Sequence, residues 1–491
     1  MKPGSYVPAP SVLLLALALC LLSLKLTFPY YYVRLKFGIE EPVNIFIVDA
    51  FYYNTSKRYV IPGWINFKED TLAVIFNTRK NAPSLPIVCQ TKDRFDAVAT
   101  TKADVKILVN APGQCAFTTF VAMCQGPSEP AELSIGIHNG LMEKIPFSHV
   151  DRVPRPLVVC MSRMYLFENW QLLFTSLEIY RHFGATLMVT YIESVLADIA
   201  LIMDAYEKEG FLKTKPGFRM FKSKGMKYDP NAQTEWGSQL SVYNSCLFEF
   251  KESADFIIFA DWDDVFIPNN YPSYLEELVF QSRAHPTAGA MVFPRHRYHV
   301  TASKSPESFD LAYTFDTLQS EDKQEPGKYV AIPSRVEGSW IHAASQVKRG
   351  YEQVWLRETV SSFWHFRDWT IYKEQPNVDV DQNLYSGNST ELAESFKDFL
   401  SRNNLTNTFS ALPSDPVYYP AMVKCYADLN RAMWDFSLTH CPTAATCDIP
   451  QLDVSCVNLR TEFRSTELLS GVNLHQRSRN ELYRSSKGCA L

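Results

Sequence analysis

Asp261 and Asp263 stand two residues apart at the end of the run Phe256-Ile-Ile-Phe-Ala260, and the chain continues through Asp264, Val265, Phe266 and Ile267 to Pro268. An apolar run without polar alternation is the pattern of a strand buried on both faces within a sheet. Side chains at i and i+2 of an extended backbone share a side, so the spacing predicts Asp261 and Asp263 on one face and Trp262 and Asp264 on the other. Two carboxylates in one small volume repel unless a proton or a cation lies between them. A hard divalent ion with oxygen ligands relieves that repulsion. Open α/β sheets bind ligands beyond the carboxyl ends of their strands, so the expected chemistry is that of a metal-diphosphate site. The competing interpretation is an acidic turn that merely ends a strand. A Walker-type nucleotidase is excluded, because no Gly-x-x-x-x-Gly-Lys loop is present.

Other elements must hold those acids in place. Leu157–Met161 reads as a buried strand, followed by Leu166, Trp170, Leu173, Leu177 and Tyr180 at helical spacing, with Gly184 beyond the last turn. Thr186–Tyr191 is a second strand. Leu196, Ile199, Met203 and Tyr206 line a second helix ended by Gly210, and a third helix from about Thr234 to Glu252 leads into the Asp261 strand. Strands alternating with helices of this length predict an α/β fold with a doubly wound, mostly parallel sheet. Downstream come a helix at Ser273–Gln281, a strand at Ala288–Phe293, and the cluster Arg295-His-Arg-Tyr-His299. The stretches 328–342 and 361–369 mix histidine, tryptophan and charge, which suits a pyranose ring: its CH face stacks on an aromatic ring while its hydroxyls take hydrogen bonds. Taken singly, His342 and His365 read as structural.

In front of this unit, residues 43–154 show short apolar runs separated by turn residues, as in a small all-β domain. It is read as a packing module in preference to a glycan- or partner-binding one. The expected division is 1–28 cytosolic tip and anchor, 29–42 stem, 43–154 β domain, 155–375 α/β domain and 376–491 a helical, cysteine-bearing extension. A net charge of −5 without a basic cluster argues against a nucleic-acid partner, and eleven thinly spread cysteines without a Cys-x-x-Cys pair argue against zinc. Val12–Leu24 is apolar apart from Ser23 and reaches Phe28 if Lys25 snorkels, so residues 12–28 are expected to enter a membrane as a signal peptide or signal anchor. Lys2 before it and Lys25, Arg34 and Lys36 after it would keep the bulk of the chain cytosolic. The sequons at Asn54, Asn388 and Asn404 argue instead for a luminal domain, where Cys425, Cys441, Cys447 and Cys456 could pair and Cys20 stays single.

The succession Val158-Val-Cys-Met-Ser-Arg-Met-Tyr, Glu168-Asn-Trp, His182-Phe-Gly184-Ala, Tyr191-Ile-Glu-Ser194, Tyr206 to Gly210, Asp261-Trp-Asp-Asp264, Lys328-Tyr-Val, His342 and His365-Phe-Arg367 resembles glycosyltransferase family 92 over about Pro156–Trp369. Two departures are conservative: Asp264 stands where that family commonly has Glu, and Phe366 where Tyr is more usual. The resemblance implies a GT-A fold, a type II Golgi membrane topology, and inverting transfer of galactose from UDP-galactose to a fucose or galactose of an N-glycan, giving a β1,4 linkage. It also implies Mn2+, with Mg2+ as a substitute. Carried onto this chain, Asp263 would ligate the metal, Asp261 would contact the ribose, the metal or both, and His365 would be a third ligand. Met161, Ser162, Arg163, Tyr191 and Glu193 would line the uridine site. Inversion needs a base, for which Glu337 is preferred over Asp368. Other UDP-sugars, or a non-catalytic glycan-binding glycoprotein, are the alternatives.

Overall fold

Alternation of apolar side chains to two sides makes the segment Ala254–Ala260 the centre of the molecule: Phe256 and Ile258 enter one hydrophobic core and Ile257 and Phe259 the other. The computed structural model describes residues 42–54, 70–82, 85–357, 361–370, 388–435 and 437–490, with 322–324, 367–370 and 434 described by backbone alone. The expected anchor and nearly all of the expected stem lie outside these residues. No helix among the described residues is long and apolar enough to cross a membrane.

The central sheet has nine strands. Leu212–Pro216, Leu187–Ile192, Arg155–Met161 and Ala254–Ala260 pair in parallel in that spatial order. The expected parallel arrangement ends there. Gln319–Ala331 pairs antiparallel with Ala254–Ala260, Ala288–Thr301 pairs antiparallel with Gln319–Ala331, and Ser362–Thr370, Asp264–Ile267 and, beside Ala288–Thr301, Glu352–Trp355 complete a mixed half. The physical reason lies in the connections: parallel neighbours need a long crossover, which the helices Trp170–His182, Ala197–Lys208 and Gln239–Phe250 supply only in the first half. Gly184 and Gly210 follow the first two helices at φ of +87° and +76°, the left-handed caps expected of them. The third helix starts later than its sequence period indicates, at Gln239, because Trp236 and Gly237 take positive φ just before it.

The β domain is not closed by residues 43–154 alone. An eight-stranded sheet carries the long hairpin Cys456–Leu469 and Val472–Ser485 beside Val43–Tyr53, with Val43–Phe46 in parallel register with Val472–His475. The last part of the chain, expected to be helical, therefore returns as strand and supplies the neighbour that the first strand would otherwise lack. The helices Ser389–Arg402 and Tyr419–Trp434 precede it. Ten cysteines form five disulfides: Cys89–Cys124, Cys115–Cys441, Cys160–Cys246, Cys425–Cys447 and Cys456–Cys489. Cys441 thus bonds outside the tail, and Cys20 lies outside the described residues. Asn388 and Asn404 are exposed, whereas Asn54 is buried, so the Asn54 sequon does not present its side chain for glycosylation.

Because Cys115–Cys441 ties residues 326 positions apart, replacing both by serine should lower stability by about 2–5 kcal/mol. Thermal melting of the double variant beside the parent protein checks it; an unchanged midpoint would show that the tether does not hold the two ends together.

Candidate active site

The strand Ala254–Ala260 stops one residue short of Asp261. Asp264 donates its N–H to the Asp261 carbonyl at 3.0 Å, so residues 261–264 form a tight turn into the strand Asp264–Ile267. The i, i+2 expectation assumed an extended chain through Asp263, and this turn overrides it. Asp261 and Asp264 converge on Lys328, at 2.6 and 3.3 Å from its ammonium, while Asp263 turns to His365, 3.1 Å from Nε2. Strand pairing brings His365 there, since it stands opposite Asp264 in register and Phe366 donates its N–H to the Asp263 carbonyl at 2.8 Å.

Asp261 is fully engaged. One oxygen accepts from Gln239 at 2.6 Å and Tyr243 at 3.1 Å, both on the first turns of the third helix, and the other accepts from Lys328. Asp264 is wholly buried and accepts from Arg295 at 2.5 Å. Glu325 accepts from Arg295 and Arg297, each at 3.0 Å, and from Nδ1 of His365. Burial opposes ionisation of all three aspartates, yet the adjoining cations outweigh it: Lys328 holds Asp261, His365 holds Asp263, and Arg295 holds Asp264 below the ordinary carboxylate range. Outside the Asp263–His365 pair, Asp261, Asp264 and Glu325 thus face Lys328, Arg295 and Arg297, so that part of the cluster is electrically balanced as it stands.

Asp263, Asp264 and His365 can each offer a ligand atom within 4.8 Å of the others. Asp264 is wholly buried, with Oδ1 on Arg295 and Oδ2 3.3 Å from the Lys328 ammonium without a hydrogen bond, whereas Asp263 keeps 28% of its side chain exposed, so Asp263 and His365 are the pair a divalent ion could reach. Asp261, expected to contact the ribose, the metal or both, lies outside this group of three and accepts from Gln239, Tyr243 and Lys328 while keeping 25% of its side chain exposed.

The other expected residues divide. Ser162 donates its N–H to the Ala260 carbonyl at 3.0 Å, and Arg163 pairs with Glu193 at 2.6 Å while its guanidinium lies 4.1 Å from the centre of the Tyr165 ring. Ser238 donates to the second oxygen of Glu193 at 2.5 Å, which joins that pair to the start of the helix carrying Gln239. Ser162, Arg163 and Glu193 are therefore brought to one edge of the Asp261 turn. Tyr191 is not: it lines a separate cleft of about 320 Å³ with Asp49, Lys215, Phe218 and Arg477. Glu337 is also not brought in, since it faces Lys106 of the β domain at 3.6 Å. The backbone of Asp368 lies in the His365 strand, and its side chain is outside the described residues. His342 lies beside Lys328: its Nδ1 hydrogen-bonds to the Gly327 carbonyl at 3.0 Å, and Lys328 donates to the Ile341 carbonyl at 3.3 Å. Burial, Lys328 and Arg295 push the His342 pKa down to about 3, so the ring is neutral, with Nε2 as its acceptor nitrogen.

Sequence reasoning missed Gln239, Tyr243, Arg295, Glu325 and Lys328 as members of the cluster. Lys328 was the most detectable, because a lysine opening the apolar run Tyr329-Val-Ala-Ile332 has to find buried anions. Glu325 gave no signal within its polar neighbourhood.

Removing Lys328, which is wholly buried, strands two carboxylates, so Lys328→Met should cost about 3–5 kcal/mol. A melting midpoint within a degree of the parent would contradict that. Glu235 supplies a pH test. It is 3% exposed, accepts from the Trp340 indole, and has Oε2 without a partner among the described residues. Burial raises its pKa from 4.5 to about 7. The folded state then holds the proton more tightly than the unfolded one, so stability falls as pH rises from 4.5 through about 7 and is not regained above it. Glu235→Gln should flatten that decline, worth about 3 kcal/mol at pH 8. Parallel melts at pH 5 and pH 8 measure it, and an equal loss in both proteins would refute the assignment.

Residues 155–409, just over half of the chain, match Glycosyltransferase family 92. A Caenorhabditis elegans glycosyltransferase family 92 protein is 26% identical over 475 residues, covering 91% of this chain and 89% of its own. A second from that organism is 26% identical over 471 residues, covering 92% and 91%. Among solved structures, S. aureus TarS is 12% identical over 52% of this chain and 74% of its own at a TM-score of 0.25, too low to carry an argument. From its matched residues and its full-length relatives, this chain belongs to glycosyltransferase family 92.

Proposed function

We propose that the protein transfers galactose from UDP-galactose to a hydroxyl of an N-glycan, with inversion and a β1,4 linkage, on a GT-A-like fold and with Mn2+ in the Asp263–His365 site. The observation that carries this is the partly exposed Asp263 carboxylate beside His365, on a cluster whose other charges already neutralise one another. A balanced cluster has little surplus attraction for a bare divalent cation, whereas a cation that arrives with a diphosphate brings its own countercharge. The ion and the nucleotide are therefore expected to bind together. The ion would supply Lewis-acid neutralisation of the departing diphosphate.

This chain's own residues do the rest. Lys328, Gln239 and Tyr243 fix Asp261 at the edge where the donor would lie, and Arg163, Glu193 and Ser238 form a rigid wall next to it. Among proton acceptors, the geometry favours His342 Nε2 over Glu337, because His342 stands beside the cluster and Glu337 faces Lys106. A diphosphate opposite Lys328 and Arg295 would relieve their push on the ring and raise its basicity.

Localisation as a type II Golgi protein with the catalytic part luminal is the topology we infer. Five disulfides suit an oxidising compartment, and the exposed Asn388 and Asn404 suit glycosylation there.

Asp263→Ala should reduce transfer by about a thousandfold or more while the protein remains folded. The check is a screen of UDP-sugars against N-glycan acceptors with Mn2+, read by the mass added, for parent and variant. Mass gain from a different UDP-sugar would correct the donor; equal turnover by the variant would overturn the site. A protein that ignores UDP in calorimetry would be a glycan binder without this activity.

A further inference from the structure

We propose that Glu325 is the positioning residue for His365, fixing the ring so that Nε2 is the nitrogen presented, beside Asp263, to a divalent cation. This rests on assigning Asp263 and His365 to the metal. A ligating imidazole has two nitrogens, and the one that does not bind the metal needs an acceptor for its N–H. A carboxylate is the strongest such acceptor, and it sets both the tautomer and the ring angle.

The geometry supplies this arrangement from both sides of the ring. Glu325 takes Nδ1, and Asp263 lies 3.1 Å from Nε2. Glu325 cannot swing away, because Arg297 Nε holds its Oε1 at 3.0 Å and Arg295 Nη1 holds its Oε2 at 3.0 Å. Arg295 also binds Asp264 at 2.5 Å, so the guanidinium spans the carboxylate behind the imidazole and the acid next to the metal-binding one. The ring is buried to 3% exposure on a strand paired with Asp264–Ile267, which leaves it little freedom to turn. Glu325 itself is directed to Nδ1 and the two arginines, on the side of the ring away from Asp263. It acts through His365 and does not touch the ion. Its place on the strand Gln319–Ala331, three residues before Lys328, means that one strand carries both the cation that holds Asp261 and the anion that holds His365.

The test is calorimetric titration of Mn2+ into the full protein with UDP present, on the parent, Glu325→Gln, His365→Ala and the double variant. Glu325→Gln should weaken Mn2+ binding roughly ten- to a hundredfold, and should weaken it no further once His365 is already alanine. Glu325→Asp, which keeps the charge but withdraws it from Nδ1, guards against loss of folding in the glutamine variant. It should melt near the parent and still bind Mn2+ more weakly. Binding by both Glu325 variants within twofold of the parent would overturn the proposal, as would a loss that simply adds to that of His365→Ala, since a purely structural carboxylate would behave in that way. Parent protein that takes up no Mn2+ with UDP would instead overturn the metal assignment itself, and the proposal with it.

Discussion

The buried ammonium of Lys328 is the interaction on which the site depends. It lies between Asp261 and Asp264, two acids that the turn after the central strand forces together. Without it that turn would place like charges a few ångströms apart in an interior where water cannot screen them. With it, the turn can stay tight with Asp264 wholly buried, while Asp261 and Asp263 remain partly exposed at its rim. The same logic recurs one residue further on: Arg295 holds Asp264 and Glu325, and Glu325 holds His365. Each charge is held by another; Asp261 and Asp263 keep 25% and 28% of their side chains exposed, and Asp263 is the one that meets a histidine in place of a lysine or arginine.

This arrangement explains why the fold is mixed. A parallel sheet delivers strand ends to one edge, which places Cys160, Phe259 and Val189 at the same level, with Met161 beside Ala260 just beyond. Lys328, Arg295 and His365 must approach that edge from other directions. The mixed half provides this, since Gln319–Ala331 runs against Ala254–Ala260 and sets Lys328 one residue beyond the pairing of Tyr329 with Phe259. The N-terminal strand, the C-terminal hairpin and Cys115–Cys441 form a second body fastened along the helix Gln239–Phe250, whose first turns touch Asp261. Asn77 and Asp49 of the β domain bond to Ser241 and Ser245 of that helix. The domain expected as a packing module therefore also braces the helix that orients the site.

Much was legible in the chain before it folded. The apolar run before Asp261, the helical spacing between Leu166 and Tyr180, and the glycines at 184 and 210 each report a local preference of backbone or burial, and local preferences survive in one dimension. The succession of short motifs carried the family. The pairing of the final hairpin with Val43–Phe46 was not legible, because a strand that completes a distant sheet has no sequence neighbour to announce it. The same holds for Glu337, preferred over Asp368 as the base; only the fold shows that it faces Lys106.

The sequence by itself determined the class of fold, the strand that ends in acids, and the family, because burial period, turn chemistry and motif order are properties of neighbouring residues. Tertiary structure alone decided which acid meets a histidine in place of a lysine or arginine. Asp261, Asp263 and Asp264 are alike in type, and what separates them is which cation each one meets: Lys328 for the first, Arg295 and Lys328 for the last, and His365 for the one between. Those partners come from strands far along the chain, and electrostatic pairing in a buried site is settled by distance in space, which spacing along a sequence does not encode.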